Sequence, residues 1–380
     1  MDFYRFRLPG FDNAYTRRSR SLAYLVIVQA KIKSLPLLEE KAAETCELAR
    51  AAHLKVMGMI KIFLPHPDAG TFLRSGKLEE IHKDVVATGA DILVFGTDLT
   101  PSQAGNIEAF MKIPVVDRTG LILEIFGRRA QSSEGKLQVE LAQLRYVLPR
   151  LGGLGTVMSR LGGGIGTRGP GEQELERDRR KVRRRIDQVK DKLEDVRKHR
   201  ELLRSGRNKK NFVSAALVGY TNAGKSSLMN ALTGANVKVE DQVFATLDPK
   251  TRVATMNGNQ QYLFIDTVGF MRDLPHTLIE SFRATLEEVV EADLLIHVLD
   301  ISQQHARDLK AAVEKVLEEI GVKDKPVILA LNKADLLDEN EKKRGEQAFP
   351  EGVLISAREK HGMEHLLARL EEVRQHEVKN

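Results

Sequence analysis

Gly219-Tyr220-Thr221-Asn222-Ala223-Gly224-Lys225-Ser226 is the stretch on which the fold turns. It follows an apolar run, Val213–Val218, that reads as a strand, and it opens Lys225–Leu232, which reads as a helix. Glycines at the ends of such a loop let backbone N–H groups wrap a phosphate chain, and the helix start adds partial positive charge. Lys225 brings an ammonium to β- and γ-phosphates; the Ser226 hydroxyl, followed by Ser227, suits Mg2+. The strand–loop–helix context separates this octet from a chance match and predicts a parallel α/β nucleotide-binding unit.

Three more elements follow in the order such a unit needs. Asp266-Thr267-Val268-Gly269 ends the strand Tyr262–Ile265, about 40 residues past the loop. An aspartate there holds Mg2+ through water, and the Gly269 amide reaches a γ-phosphate when its loop closes. Asn332-Lys333-Ala334-Asp335 also follows a strand, Val327–Asn332. The Asp335 carboxylate is placed to accept from guanine N1–H and the 2-amino group. Adenine lacks that donor pair, so the expected ligand is GTP or GDP. Ser356-Ala357-Arg358, after the strand Val353–Ser356, can offer a backbone N–H to guanine O6.

Phe244-Ala245-Thr246-Leu247-Asp248-Pro249-Lys250-Thr251 lies between the first two elements and reads as a switch loop. Such a loop supplies one threonine to Mg2+ in the triphosphate state. Thr246 is the first choice and Thr251 the competitor. The expected catalytic residues are Lys225, Thr246 and Gly269, and the expected Mg2+ set is Ser226, Thr246 and Asp266 through water. Nucleotide contacts are expected along 219–227, 244–248, 266–269, 332–335 and 356–358. Phe270 stands where many GTPases carry a glutamine that orients water. A phenyl ring cannot do this, which predicts slow intrinsic hydrolysis. Asn222 has two readings of equal weight: a ligand for a monovalent cation, K+, beside the phosphates, or a side chain that stabilises the loop.

The first part of the chain alternates strands (Leu22–Val28, Val56–Leu64, Asp91–Phe95, Pro114–Asp117) with helices (Leu37–Ala52, Lys77–Thr88, Pro101–Met111). That alternation predicts a second parallel α/β domain. Lys61, His66, His82 and Asp98 are scattered in it and form no catalytic pattern. A long helix is predicted over Gly120–Arg150, with Leu137, Leu141, Leu144 and Leu148 on one face and Pro149 as its stop. The segment 151–171 carries nine glycines together with Arg160 and Arg168. Such density predicts neither helix nor strand. Glu172–Arg204 then reads as a helix with a heptad-like seam, Val182, Ile186, Val189, Leu193 and Val196. Base exceeds acid there by 13 residues to 9, and Arg207, Lys209 and Lys210 extend the run. The expected organisation is 1–118 as an α/β domain, 119–208 as an antiparallel helical hairpin with a glycine-rich tip, and 209–380 as the GTPase domain.

With 42% apolar residues the chain can bury real cores, and no window is long and apolar enough for a membrane span. A net charge of +6 is a modest pull towards polyanions, concentrated in the predicted hairpin. The lone Cys46 excludes an internal disulfide framework and fits a cytoplasmic protein, expected as a monomer.

Together these strings resemble the HflX family of GTPases. The resemblance rests on Gly70–Ile81, Asp98–Glu108, Val116–Arg150, Gly163–Arg180, Phe244–Arg252 and Asp266–Glu288. It departs at Glu174–Arg177, where the family often has Lys-Leu-Glu-Thr, and in the short stretch after Ser356–Arg358. It implies a GTPase that associates with the 50S subunit, reaches rRNA with the tip of its hairpin, is stimulated by the ribosome, and splits stalled 70S particles. The alternative is a GTP-gated rRNA-binding assembly or dormancy factor in which hydrolysis times release.

Overall fold

The computed structural model describes residues 21–29, 34–159, 170–207, 212–234, 243–256, 260–272, 275, 278, 283–322 and 324–377. Lys209, Lys210 and the part of the glycine-rich tip at 160–169, with Arg160 and Arg168, lie outside them. The chain forms two compact units, Met1–Arg128 with Leu137–Lys192, and Arg129–Lys136 with Leu193–Asn380.

In the first unit, β1 (Leu22–Gln29), α1 (Leu35–Ala51), β2 (Lys55–Phe63), α2 (Ser75–Thr88), β3 (Ile92–Phe95), α3 (Pro101–Met111) and β4 (Val115–Val116) alternate. The strands are all parallel in the order β2-β1-β3-β4. β3 throughout and β1 from Ala23 onwards are buried, as strands covered on both faces must be, and their sequences are accordingly near-continuous apolar runs. Val26, Ile81, Phe95 and Ile107 share one core cluster. α3 starts where Thr100 and Gln103 form a reciprocal capping box and Pro101 needs no N–H partner. α2 stops at Gly89, whose φ of 65° suits the residue without Cβ. Cys46 is half-buried and its thiol is pushed up by burial, so it is not activated for nucleophilic chemistry.

The long helix predicted over Gly120–Arg150 is instead two, α4 (Arg118–Arg129) and α5 (Ser133–Ser159). The break falls where the Ser132 side chain accepts from the Gly135 N–H at 2.8 Å and so caps a new helix start. The expected stop at Pro149 is overturned: α5 runs through it and on through Gly152, Gly153 and Gly155. An interior proline costs about 3 kcal/mol. Val139, Leu141, Ala142, Leu144 and Val147 on the preceding turns are all buried, and that packing outweighs the local cost. Asp117, buried, adds to it by accepting from Tyr146 Oη at 2.7 Å and pairing with Arg150 at 2.7 Å. α6 (Pro170–Arg207) follows, and its Arg185 pairs with Glu140 of α5 at 2.6 Å. Val182, Ile186 and Val189 of the predicted seam are buried; Lys181, Arg183, Arg184 and Lys190 are exposed.

The second unit is built on a six-stranded sheet in the order β10-β9-β8-β5-β7-β6. β5 (Val213–Val218), β7 (Gln260–Asp266), β8 (Leu294–Asp300), β9 (Val327–Asn332) and β10 (Val353–Leu354) are parallel. β6 (Lys250–Met256) lies antiparallel on β7 at the edge and was not foreseen in the sequence. The helices are α7 (Lys225–Thr233), α8 (Arg283–Glu291), α9 (Ala306–Glu319), α10 (Glu339–Ala348) and α11 (Met363–Glu377). Leu217, Phe264, Ile296 and Ala330 from neighbouring strands meet Leu228 and Leu366 in one core. Parallel strands put all their C-terminal ends on one edge of the sheet, and there the candidate residues gather.

Candidate active site

β5, β7, β8, β9 and β10 deliver Gly219, Asp266, Asp300, Asn332 and Ser356 to that edge. A cavity of about 570 Å³ opens among them, lined by Thr221, Asn222, Gly224, Lys225, Ser226 and Ser227 on the loop side. Phe244, Ala245, Thr246, Thr267 and Gly269 line it from the switch segments, and Asn332, Lys333, Asp335, Leu336, Ala357 and Arg358 close its other end.

Gly224 initiates α7 with a φ of 96°, and a Cβ there would come within 2.3 Å of Asn332 Nδ2. Glycine is therefore required twice over, by backbone angle and by space. Lys225 is buried and donates to the Gly219 carbonyl at 3.1 Å and the Tyr220 carbonyl at 2.9 Å. Burial pulls its ammonium down to about 8, against the partial support of Asp266. A phosphate anion would hold the proton in place. Between pH 8 and the ordinary lysine value the unfolded chain binds more protons than the nucleotide-free fold. The group's contribution to stability without nucleotide therefore rises with pH across that window. Nucleotide affinity runs the other way. It is expected to fall as pH rises above about 8, with uptake of a proton on binding. Titration calorimetry in buffers of different ionisation enthalpy checks this; no proton uptake at pH 9 would contradict it.

Asp266 is fully buried at the end of β7. Its Oδ2 accepts from Ser226 Oγ at 2.6 Å and Thr246 Oγ1 at 3.1 Å, and those two hydroxyls lie 3.0 Å apart. Its Oδ1 is buried with no hydrogen-bond partner among the described residues. Two hydroxyls on one oxygen of a carboxylate whose other oxygen is unpartnered, four oxygens in all, match the hard-donor set of a divalent cation. Thr251 lies elsewhere, in β6 opposite Ile265.

Gly269 passes so close to the phosphate loop that a Cβ would meet Thr221 at 2.8 Å and Lys225 Nζ at 3.1 Å. Next to it Phe270 pairs by backbone with the loop: its N–H donates to the Gly219 carbonyl at 3.0 Å, and its carbonyl accepts from Thr221 N–H at 2.8 Å. The ring is 1% exposed. It is packed inside the domain and turned to no solvent.

Asn332 ties the two ends of the cavity together. Its Nδ2 donates to the Ala223 carbonyl at 2.8 Å, and its Oδ1 accepts from Ala357 N–H at 3.0 Å. Asp335 Oδ1 accepts from Ser356 Oγ at 2.6 Å, which orients the carboxylate. Lys333 holds a φ of 66° and pairs with Asp300 at 2.8 Å. Ser302 and Gln303 donate to the same carboxylate and fix it in turn. Asp300 and Leu336 were not among the residues expected from sequence. The available signal for Asp300 was its position, an acid at the C-terminal end of a buried strand.

The remaining expected residues are placed around the cavity without lining it. Ala223, Leu247, Val268 and Ala334 are buried beneath it. Asp248 has different partners: its carboxylate accepts from the backbone N–H groups of Gln131 at 2.8 Å and Ser132 at 2.9 Å.

Three family models match the chain: a GTP-binding GTPase N-terminal region over 39–127, a GTP-binding GTPase middle region over 129–207, and a 50S ribosome-binding GTPase over 214–333. The GTPase HflX of Caldanaerobacter subterraneus is 47% identical over 90% of this chain and 78% of its own length. The chain belongs to the HflX family of GTPases. The HflX of Escherichia coli K12 is 46% identical over 81% of this chain and 72% of its own. A crystal structure of SsGBP with GDP is 28% identical, covers 93% of this chain and 98% of that one, and has a TM-score of 0.52. As an HflX-family protein with this P-loop domain, it binds GTP and hydrolyses it to GDP and phosphate. Among the described residues no helix is long and apolar enough to cross a membrane, and no group of three or more His, Cys, Asp or Glu side chains could hold a metal.

Proposed function

We propose that this HflX-family GTPase works on the 50S ribosomal subunit, contacting rRNA with its α5–α6 hairpin and splitting stalled 70S particles. The carrying observation is the row of exposed bases on α6, Lys181, Arg183, Arg184, Lys190, Arg197 and Lys198, standing beside the buried seam. A helix that buries Val182, Ile186 and Val189 and still projects so many cations matches a phosphate backbone. The match of 214–333 to the 50S ribosome-binding model supports the same partner.

In the reaction, Lys225 and the loop amides bind the phosphates, and Asp335 reads guanine. Ser226, Thr246 and Asp266 would hold Mg2+, which when bound neutralises charge on the β- and γ-oxygens. Gly269 presents its N–H to the γ-phosphate. The buried Phe270 leaves the water unoriented by this chain, so turnover is slow until a partner completes the site. Asn222 lines the cavity and is the candidate K+ ligand.

One assay tests the set: GTP turnover with and without 50S subunits, in KCl and in NaCl. Stimulation by 50S is expected, with a salt-sensitive midpoint because phosphate contacts release counterions. Equal rates in KCl and NaCl would remove the K+ role. Deleting 152–171 is expected to spare GTP binding and abolish the stimulation; retained stimulation would mean that the tip is a linker. Sedimentation of 70S with protein and GTP separates the two ribosome readings. Free subunits support splitting, and bound but intact particles support the assembly or dormancy factor.

A further inference from the structure

Ser132 caps α5, accepting from Gly135 N–H at 2.8 Å while its own hydroxyl donates to Asp248. Gln131 and Ser132 also direct their backbone N–H groups to that carboxylate, at 2.8 and 2.9 Å. Asp248 therefore sits as an anion over a helix start, where the dipole favours it. Gly135 is the third residue of α5 and buried, and a Cβ on it would approach Asp248 Oδ1 to 2.2 Å. Glycine in a helix costs roughly 1 kcal/mol relative to alanine. Here the empty space is filled by a carboxylate from a segment more than a hundred residues away in sequence.

That segment is the switch loop. Two residues before Asp248, Thr246 meets Ser226 and Asp266, and two residues after it Lys250 begins β6 opposite Asp266. Among the described residues, Asp248 thus ties the loop between the cation-holding hydroxyls and the sheet edge by hydrogen bonds to the first turn of α5.

We propose that Asp248, clamped by Gln131, Ser132 and the space at Gly135, is the positioning residue that sets Thr246 for GTP hydrolysis. This rests on the reading of Thr246 as the switch threonine. The clamp makes the triphosphate-bound form of the switch and the start of α5 one coupled unit. By reciprocity of linkage, a force on that helix start changes the preference for GTP over GDP as much as GTP changes the helix start. GDP, which has no γ-phosphate to order the loop, does not need the clamp.

Gly135→Ala is the sharpest test, because it favours the helix while expelling the carboxylate. Affinities for GDP and for a non-hydrolysable GTP analogue, kcat and thermal midpoint are measured for it, for Ser132→Ala and for Thr246→Ala. Gly135→Ala is expected to keep GDP affinity within about twofold and a midpoint at or above wild type. Its kcat and its preference for the GTP analogue should both fall about tenfold, with Ser132→Ala affected in the same direction but less. Wild-type kcat and preference in Gly135→Ala beside an impaired Thr246→Ala would overturn the clamp alone. Loss of GDP binding or a lowered midpoint in Gly135→Ala would overturn it in favour of a purely structural glycine. An unimpaired Thr246→Ala would overturn the switch reading and the clamp with it.

Discussion

Lys225→Met is expected to lose GTP and GDP binding by about 100-fold or more, and hydrolysis with it. Hydrogen bonds to charged groups contribute roughly 1.5–3 kcal/mol each, and Lys225 is placed to make at least two to the phosphates. That is roughly 3–6 kcal/mol, or about two to four decades of affinity. Stability without nucleotide should move the opposite way. The ammonium is buried, donates to two carbonyls, and is pulled down to about 8 by desolvation against the partial support of Asp266. An uncharged chain of similar volume removes that burden, so the thermal midpoint of the nucleotide-free variant should equal or exceed wild type. Wild type should gain about 2.7 kcal/mol at a nucleotide concentration of about 100 wild-type Kd, and the variant no more than about 0.4 kcal/mol at that concentration. Normal GTP affinity in Lys225→Met would refute the assignment of the phosphate loop.

Asp335→Asn is expected to exchange guanine for xanthine. The carboxylate is oriented by Ser356 Oγ at 2.6 Å, and the neighbouring Lys333 is pinned by Asp300, so the reading edge is preorganised. An amide there faces the guanine N1–H and 2-amino group with a donor in place of an acceptor. One bond to a charged acceptor is lost with two donors left face to face, and the other falls to a neutral acceptor, which predicts a fall in GTP affinity on the order of 10³-fold. Xanthosine triphosphate carries an acceptor at the 2-position and should bind the variant better than GTP. A competition titration of the two nucleotides decides it, and unchanged selectivity would sink the guanine assignment.

Much of the site was legible because each motif is local. Gly219–Ser226 needs a strand before it and a helix after it, and both β5 and α7 are where the apolar pattern puts them. Asp266 and Asn332 end strands that their own apolar runs announce. The first unit's parallel sheet was legible for the same reason, since its central strands β1 and β3 are apolar runs set between helices.

What was not legible involves residues far apart in the chain. The helix break at Ala130–Ser132 has no glycine or proline to mark it, because its cap is completed by Asp248 from the switch loop. The passage of α5 through Pro149 contradicts local propensity, because buried neighbours outweigh one missing N–H. β6 escaped notice because an edge strand with Val253 exposed has no continuous apolar run. The pairing of Asp300 with Lys333 depends on β8 and β9 lying side by side.

By itself, then, the sequence supplied the expected chemistry: which residues are proposed to grip phosphate, which is proposed to read guanine, and that a phenyl ring at Phe270 cannot orient water. Those follow from side-chain type and from spacing along one strand–loop–helix unit. Only the tertiary structure decided that Thr246 meets Ser226 and Asp266 while Thr251 is locked in a ladder. Only it showed that Asp248 faces the first turn of α5. Hydrogen bonds require atoms about 3 Å apart, and for residues separated by a hundred positions only folding sets that distance.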